Sequence, residues 1–117
     1  MDDSLSQVDA DVVAQLRRMP TGGSIDLYSR LVGIFAGASA EALAQLRAAL
    51  DSSSAGQAAS ICHKLKSSAA NIGALAFARQ LGQLEQVCRH GEIGDARDLF
   101  GPLERALPRL VAELGRA

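Results

Sequence analysis

One stretch of the sequence, HKLKSSAANIGA at residues 63–74, combines a nucleophilic side chain with cations and very small neighbours. His63 carries an imidazole whose unprotonated nitrogen can attack an electrophile, and Lys66 follows about one helical turn later. An ammonium group at that spacing can neutralise an anion attached to the ring, as phosphoryl chemistry requires. The stretch therefore has the residue types needed to accept an anionic group on His63.

A helical wheel predicts where His63 lies relative to the core. The apolar side chains of its helix centre near about 30° when Ile61 is set at 0°, whereas His63 falls near about 200°. We therefore predict that the imidazole points away from the core. Apart from Lys66, its neighbours on the same face are small: Ala59, Ser67 and Ala70.

Two interpretations of this surface histidine are open on the wheel alone. One is a solvated side chain on a polar helix face, where the neighbouring alanines are present because alanine favours the helix. The other is a reactive imidazole presented to a partner protein, at the centre of a largely apolar contact. Small flanking residues favour the second interpretation, because they let another surface approach the ring closely.

Composition limits the classes of protein that this chain can belong to. Its 117 residues predict one domain, residues 1–117, and the scarcity of aromatic residues (3%) favours helices packed on helices. A net charge of −1 argues against nucleic acid as the main partner. The sequence contains no apolar run near the roughly 20 residues that span a bilayer. Its acidic start, MDDSLSQVDAD, is unlike a secretory signal, so we expect a cytoplasmic protein.

The cysteines and histidines do not form a metal-binding pattern. Cys62 and Cys88 lie inside helical patterns, where we expect reduced core side chains. His63 and His90 are the only histidines, and neither belongs to a spaced ligand cluster. His90 precedes a glycine, so we expect it to cap a helix end or to interact with the helix dipole.

The apolar spacing predicts helices from end to end and no strands. A short first helix should begin near Asp9 or Asp11 and end before Pro20. The longer helices are predicted at about 24–51 (capped by Ser24), 56–71, 75–89 and 94–115. These elements predict an all-α fold: an antiparallel up-and-down four-helix bundle, with its core over about 24–115, and a short extra N-terminal helix.

Three local features qualify that helix pattern. The segment 37–41 is a candidate weak point in the second helix. Asn71 to Gly73 should form a tight turn, since both residues tolerate left-handed backbone angles. Pro102 and Pro108 should delay or kink the last helix.

The turn at Gly73 determines which residues of the next helix face His63. An antiparallel return places residues about 83–86 level with the ring. Glu85 is the favoured ring-orienting partner, because a carboxylate that flanks an apolar stripe needs a donor. Gln83 and Gln86 are weaker alternatives.

The stretch HKLKSSAANIGA resembles the signature of histidine-containing phosphotransfer (HPt) domains, the helical-bundle phosphocarriers of two-component phosphorelays. That signature has His, any residue, Leu, Lys, Gly and Ser, then small residues up to a Gly. The matching positions here are His63, Leu65, Lys66, Ser68 and Gly73. The following LAFARQLGQLE also resembles the family's next helix, and the helix count agrees. Ser67 departs from the signature, which usually has Gly at that position. Serine is also small, so receiver docking should survive. Two effects of the serine stay as alternatives: slower transfer, or a hydroxyl placed near the phosphoryl group.

The resemblance implies a role for each residue of the site. His63 would accept a phosphoryl group from an aspartate of one receiver domain and donate it to another. Lys66 would stabilise the phosphoryl charge, and Glu85 would orient the ring. The receiver-docking surface would comprise Ala59, Lys64, Ser67 and Ala70.

The resemblance also implies partners and cofactors. We expect a monomer that docks receiver domains of response regulators or of a hybrid sensor histidine kinase. It would have no kinase activity of its own, since the sequence lacks a Gly-rich phosphate loop. No cofactor is expected in this domain, and Mg²⁺ would belong to the receiver. The alternative is a helical adaptor that binds a receiver or kinase without being phosphorylated.

Overall fold

The computed structural model describes residues 4–117, which form five α-helices and one short 3-10 helix and contain no strand. The 3-10 helix is Ser4–Ser6, and the α-helices are α1 (Ala10–Arg18), α2 (Leu27–Asp51), α3 (Ala55–Asn71), α4 (Leu75–Arg89) and α5 (Ile93–Arg116). The first three residues of the acidic start lie outside the described residues.

Helices α2 to α5 form a closed ring in which each packs on the next and α5 packs on α2. Two long-range hydrogen bonds show that α2 and α5 are antiparallel. The Tyr28 hydroxyl donates to the Leu114 carbonyl (2.8 Å), and the Arg97 guanidinium donates to the Leu50 carbonyl (2.8 Å). Three-residue connections join the other consecutive helices, which makes them antiparallel as well. The predicted four-helix bundle with an extra N-terminal helix is thus confirmed.

Leucine is the most frequent residue in the core. The large side chains that are essentially inaccessible to solvent are Tyr28, Phe77, Leu46, Leu50, Leu81, Leu84, Leu103, Leu110 and Leu114. Burying each leucine contributes roughly 1.5–3 kcal/mol before conformational entropy is subtracted. Cys62 and Cys88 are free and buried, as predicted. Burial, followed by the nearby Cys88 and Glu85, raises the pKa of the Cys62 thiol to about 12, so this thiol is unreactive.

The helix starts of α1 and α2 are set by aspartate caps. Asp9 accepts a hydrogen bond from the Val12 N–H (3.0 Å), in agreement with one of the two predicted starts of α1. Asp26 caps α2 by accepting from the Ser29 N–H (2.8 Å), so the predicted start at Ser24 is wrong. Asp26 is favoured there because it also pairs with Arg17 at 2.7 Å.

Two features that were predicted to disturb the helices do not break them. Helix α2 continues through residues 37–41, because Phe35, Ser39 and Leu43 keep its buried face continuous there. Helix α5 begins at Ile93 and contains both prolines, so the predicted late start is wrong. Each proline removes one backbone donor, but the leucine stripe of α5 remains buried and keeps the segment helical.

Gly73 fixes the geometry of the turn between α3 and α4. Its φ of 91° is in the left-handed region, as predicted for this turn, although Asn71 remains helical. The Asp9 N–H donates to the Gly73 carbonyl (2.9 Å), and a Cβ atom at position 73 would lie 3.2 Å from the Asp9 carbonyl oxygen. The start of α1 therefore packs directly on the turn that sets the register of α3 against α4.

Among residues 4–117, no helix is both long enough and apolar enough to cross a membrane.

Candidate functional site

The imidazole of His63 on α3 lies against the carboxylate of Glu85 on α4. Nδ1 of His63 is 3.2 Å from Oε2 of Glu85. The histidine side chain is 61% exposed, whereas the glutamate side chain is only 6% exposed. One ring nitrogen therefore contacts a buried carboxylate, while most of the histidine side chain remains exposed to solvent.

The turn at Gly73 brings these two residues to the same level. His63 lies ten residues before Gly73 and Glu85 twelve residues after it, so two antiparallel helices place them side by side. The buried side chains of α3 are small apart from Leu65: Ala58, Ala59, Cys62 and Ala69. Small residues let α4 pack close to α3, which brings the two side chains within contact distance.

Glu85 has three further hydrogen bonds from cations. Lys66 Nζ donates to Oε1 (3.0 Å), and Arg89 donates to Oε2 through both Nε (3.1 Å) and Nη2 (2.7 Å). Burial by itself would raise the pKa of Glu85. The hydrogen bonds from Arg89 and Lys66 and the charges of Lys66 and His63 outweigh burial, and the pKa of this carboxyl lies below its ordinary value. Glu85 is therefore ionised at neutral pH.

The ionised carboxylate determines the tautomer of a neutral His63. A carboxylate has no hydrogen to donate, so Nδ1 carries the hydrogen and donates it to Oε2 of Glu85. The lone pair then resides on Nε2, the nitrogen that this contact leaves available. The site thus presents a nucleophilic nitrogen with a buried carboxylate behind the ring, an arrangement that stabilises positive charge on the imidazole.

Lys66 lies between the histidine and the surface of α4. Its side chain is 36% exposed, and a Cβ atom added at Gly82 would lie 3.4 Å from its Cδ. The lysine stem therefore lies against α4 beside Gly82, and its ammonium reaches Glu85 on the same helix. One ammonium and one guanidinium against one carboxylate give the cluster one net positive charge when the ring is neutral.

Ala59 does not belong to the exposed face around His63, and its prediction as a docking residue is wrong. It is 1% exposed, because α3 packs on both α2 and α4 and so buries a wide arc. That arc runs from Leu65 to Ala59, with its centre near about 100° on the wheel where about 30° was predicted. His63 consequently lies at the edge of the buried arc, which is why it reaches Glu85 while staying exposed.

The other predicted docking residues do lie at the surface. Lys64 and Ser67 are exposed, and Ala70 is half-buried. The Ser67 hydroxyl lies 3.4 Å from the His63 carbonyl on its own helix. A shallow groove between α3 and α4 continues from this face and is lined by Lys66, Ser67, Ala70, Leu75, Ala78, Arg79 and Gly82. Its lining is mainly apolar, with Lys66 and Arg79 supplying the cations.

Sequence reasoning missed the part played by Arg89, which pairs with Glu85 one turn earlier on α4. The i, i+4 spacing of Glu85 and Arg89 was the available signal. The ring nitrogen of His63 pairs with Glu85, whereas the alternative partners Gln83 and Gln86 are exposed on α4.

His90 stands apart from this cluster, at the end of α4. Its Nδ1 lies 2.8 Å from the Gln86 carbonyl one turn earlier, which agrees with the predicted role at a helix end. Within the described range 4–117, no group of three or more His, Cys, Asp or Glu side chains is placed to hold a metal ion.

Comparison with known proteins gives one match. A family model described as Hpt domain matches residues 30–117, which covers α2 to α5 almost completely and includes both His63 and Glu85. No curated protein and no solved structure matches the chain.

Proposed function

The chain belongs to the Hpt domain family, and from this premise we propose that it relays a phosphoryl group between aspartates of receiver domains through phosphorylation of His63. The observation that carries the proposal is the contact between His63 Nδ1 and the buried carboxylate of Glu85, made by a histidine side chain that is mostly exposed. That contact supports Nε2 as the atom that receives the phosphoryl group.

The forward step forms one bond and breaks one. The Nε2 lone pair attacks the phosphorus of an aspartyl phosphate, the P–O bond to the aspartate breaks, and the aspartate leaves as a carboxylate. The phosphorylated ring keeps its hydrogen on Nδ1 and carries a positive charge, which the adjacent Glu85 carboxylate stabilises. In the return step an aspartate of a second receiver attacks the phosphorus, the N–P bond breaks, and the neutral ring is restored.

The cations around the ring support transfer of an anionic group. Lys66 lies one turn from His63, so its ammonium can face a phosphoryl group at the surface of α3, and the exposed Lys64 adds a second cation to that surface. The net positive charge of the Lys66–Glu85–Arg89 cluster offsets the repulsion that Glu85 alone would exert on that group. We assign charge stabilisation mainly to Lys66, because its ammonium is held in place by Glu85.

We propose that receivers dock on the exposed face formed by Lys64, Ser67 and Ala70 together with the neighbouring α3–α4 groove. This face has an apolar centre with cations around it, and such an arrangement suits a partner whose reactive aspartate lies within an apolar contact. The Mg²⁺ ion would be bound by the receiver. The domain would act as a phosphocarrier without kinase activity of its own.

Transfer of radiolabelled phosphate tests the proposal directly. Receiver domains are phosphorylated with a small acyl phosphate, separated from it, and mixed with the wild-type chain, His63→Gln or His90→Gln. Label that is acid-labile, as a P–N bond is, should appear in the wild type and in His90→Gln but not in His63→Gln. A receiver that binds tightly and transfers nothing would instead support a helical adaptor.

A further inference from the structure

Arg89 and His63 contact the same oxygen atom. Oε2 of Glu85 lies 3.2 Å from His63 Nδ1, 3.1 Å from Arg89 Nε and 2.7 Å from Arg89 Nη2. The guanidinium is 53% exposed, so it is not needed to fill the core. Arg89 therefore binds the same carboxylate oxygen that contacts the imidazole.

We infer that Arg89 is a positioning residue, which holds Glu85 Oε2 against the ring and limits how strongly that carboxylate favours the protonated imidazole. Where this concerns phosphoryl transfer, it rests on the function proposed above. Its effect on the ring does not require that function.

The hydrogen bonds explain the positioning. A glutamate carboxylate can rotate about its last side-chain bond, and a single partner would leave that rotation free. Here Lys66 binds Oε1 and Arg89 binds Oε2 with two donors, so both oxygens are fixed. With its plane held in this way, Glu85 keeps Oε2 directed at Nδ1.

The charges explain the tuning. In the described part of the chain, the ring–carboxylate pair is faced by Lys66 and the neutral thiol of Cys62 from α3 and by Arg89 from α4. Removing Arg89 would remove one of the two cations that balance Glu85. The less compensated carboxylate would then stabilise the imidazolium, which has no lone pair on Nε2.

Titration of the His63 ring, followed by ¹⁵N and ¹H NMR, measures this effect without any receiver. We expect the titration midpoint of Arg89→Ala to lie above that of the wild type by about half a pH unit or more. Arg89→Lys should restore most of the difference, since it keeps the cation. The matched control is Arg30→Ala, which removes an exposed arginine from the start of α2 and should leave the midpoint unchanged.

A double variant separates the charge effect from a general loosening of the fold. In the Glu85→Gln background, adding Arg89→Ala should raise the midpoint much less, because the carboxylate through which Arg89 acts is gone. An unchanged midpoint in Arg89→Ala, or an equal rise in the Glu85→Gln background, would overturn the inference. Thermal unfolding of each variant shows whether the folded state is retained.

Label transfer from a phosphorylated receiver then tests whether the change in ring protonation alters the transfer rate. We expect the acid limb of the pH–rate profile of Arg89→Ala to move to higher pH, in step with the NMR midpoint. If the wild type accepts no label, the proposed function fails, and the NMR midpoints still decide whether Arg89 acts on the ring through Glu85.

Discussion

Glu85 Oε2 lies 3.2 Å from His63 Nδ1, so a largely exposed imidazole is oriented by a carboxylate that is almost fully buried. The pair joins α3 to α4, with His63 ten residues before the Gly73 turn and Glu85 twelve residues after it. The contact therefore orders the exposed ring from its buried side, through a side chain of the neighbouring helix.

Replacing His63 should remove phosphoryl acceptance and leave the fold intact. The side chain is 61% exposed, and Glu85 keeps its bonds to Lys66 and Arg89 without it. We expect His63→Gln to take up no label and to change the free energy of unfolding by less than about 1 kcal/mol. Urea unfolding and label uptake, with His90→Gln as the control, check both parts. A variant that still takes up label would contradict the assignment of His63.

Replacing Lys66 should slow transfer more than it weakens docking. Its ammonium is held 3.0 Å from Glu85 Oε1 and can face the transferred group. We expect Lys66→Ala to lower the single-turnover rate about tenfold, which corresponds to about 1.4 kcal/mol of transition-state stabilisation. Arg30→Ala is the control, since Arg30 is an exposed cation near the start of α2 that belongs to neither the proposed docking face nor the Glu85 cluster. Equal rates for Lys66→Ala and the wild type would remove Lys66 from the mechanism.

The helices and the pairing of His63 with Glu85 could be predicted from the sequence, because both depend on regular spacing around one recognisable turn. The position of Ala59 could not. A single-helix wheel assumes one buried stripe, whereas α3 is buried by α2 on one side and α4 on the other. Arg89 was also missed, since its exposure gives no apolar signal and its i, i+4 spacing to Glu85 does not show that the shared carboxylate is buried against His63. The span of α5 was predicted, but the late start expected from its prolines was wrong, because tertiary packing outweighs the local effect of proline.

The burial of Ala59 makes its substitution a test of the fold, and Ser67 provides the matching test of docking. Ala59 is 1% exposed, so Ala59→Glu would place a charge in the core and should lower the free energy of unfolding by more than about 3 kcal/mol. Ser67 is exposed one turn after His63, so Ser67→Glu should leave stability nearly unchanged and weaken receiver binding at least about tenfold. Urea unfolding and titration calorimetry with a receiver measure the two effects. A stable Ala59→Glu variant would restore Ala59 to the exposed face, and unchanged affinity of Ser67→Glu would move the interface elsewhere.

The lowered pKa of Glu85 predicts how this residue contributes to stability across pH. Because the folded-state pKa lies below the carboxyl's ordinary value of 4.5, Glu85 stabilises the folded protein above that pH. The contribution is lost as pH falls from about 4.5 through the lower, folded-state pKa, since the unfolded chain binds the proton first. Urea unfolding of the wild type and Glu85→Gln between pH 7 and 3 should show the wild type losing its advantage in that window. If the difference in unfolding free energy between the two proteins stays constant over the whole pH range, ionisation of Glu85 does not stabilise the folded protein.

Gly73 should be the backbone position of the site at which substitution costs most stability. Gly91 is the control that separates backbone strain from a clash with α1. Both glycines have positive φ, 91° at Gly73 and 74° at Gly91, so alanine at either position should cost about 1–2 kcal/mol in backbone strain. Only at Gly73 does the new Cβ atom also meet backbone, 3.2 Å from the Asp9 carbonyl oxygen, whereas nothing lies within 4 Å at Gly91. We therefore expect Gly73→Ala to lower the free energy of unfolding more than Gly91→Ala does, and to slow label uptake, because the turn sets the register of His63 against Glu85. Urea unfolding of the two variants, with label uptake measured where both remain folded, makes the comparison. Equal losses of stability in the two variants would show that packing of α1 on the turn adds nothing to the backbone strain. Unchanged label uptake in Gly73→Ala would show that the register of His63 against Glu85 does not depend on this turn.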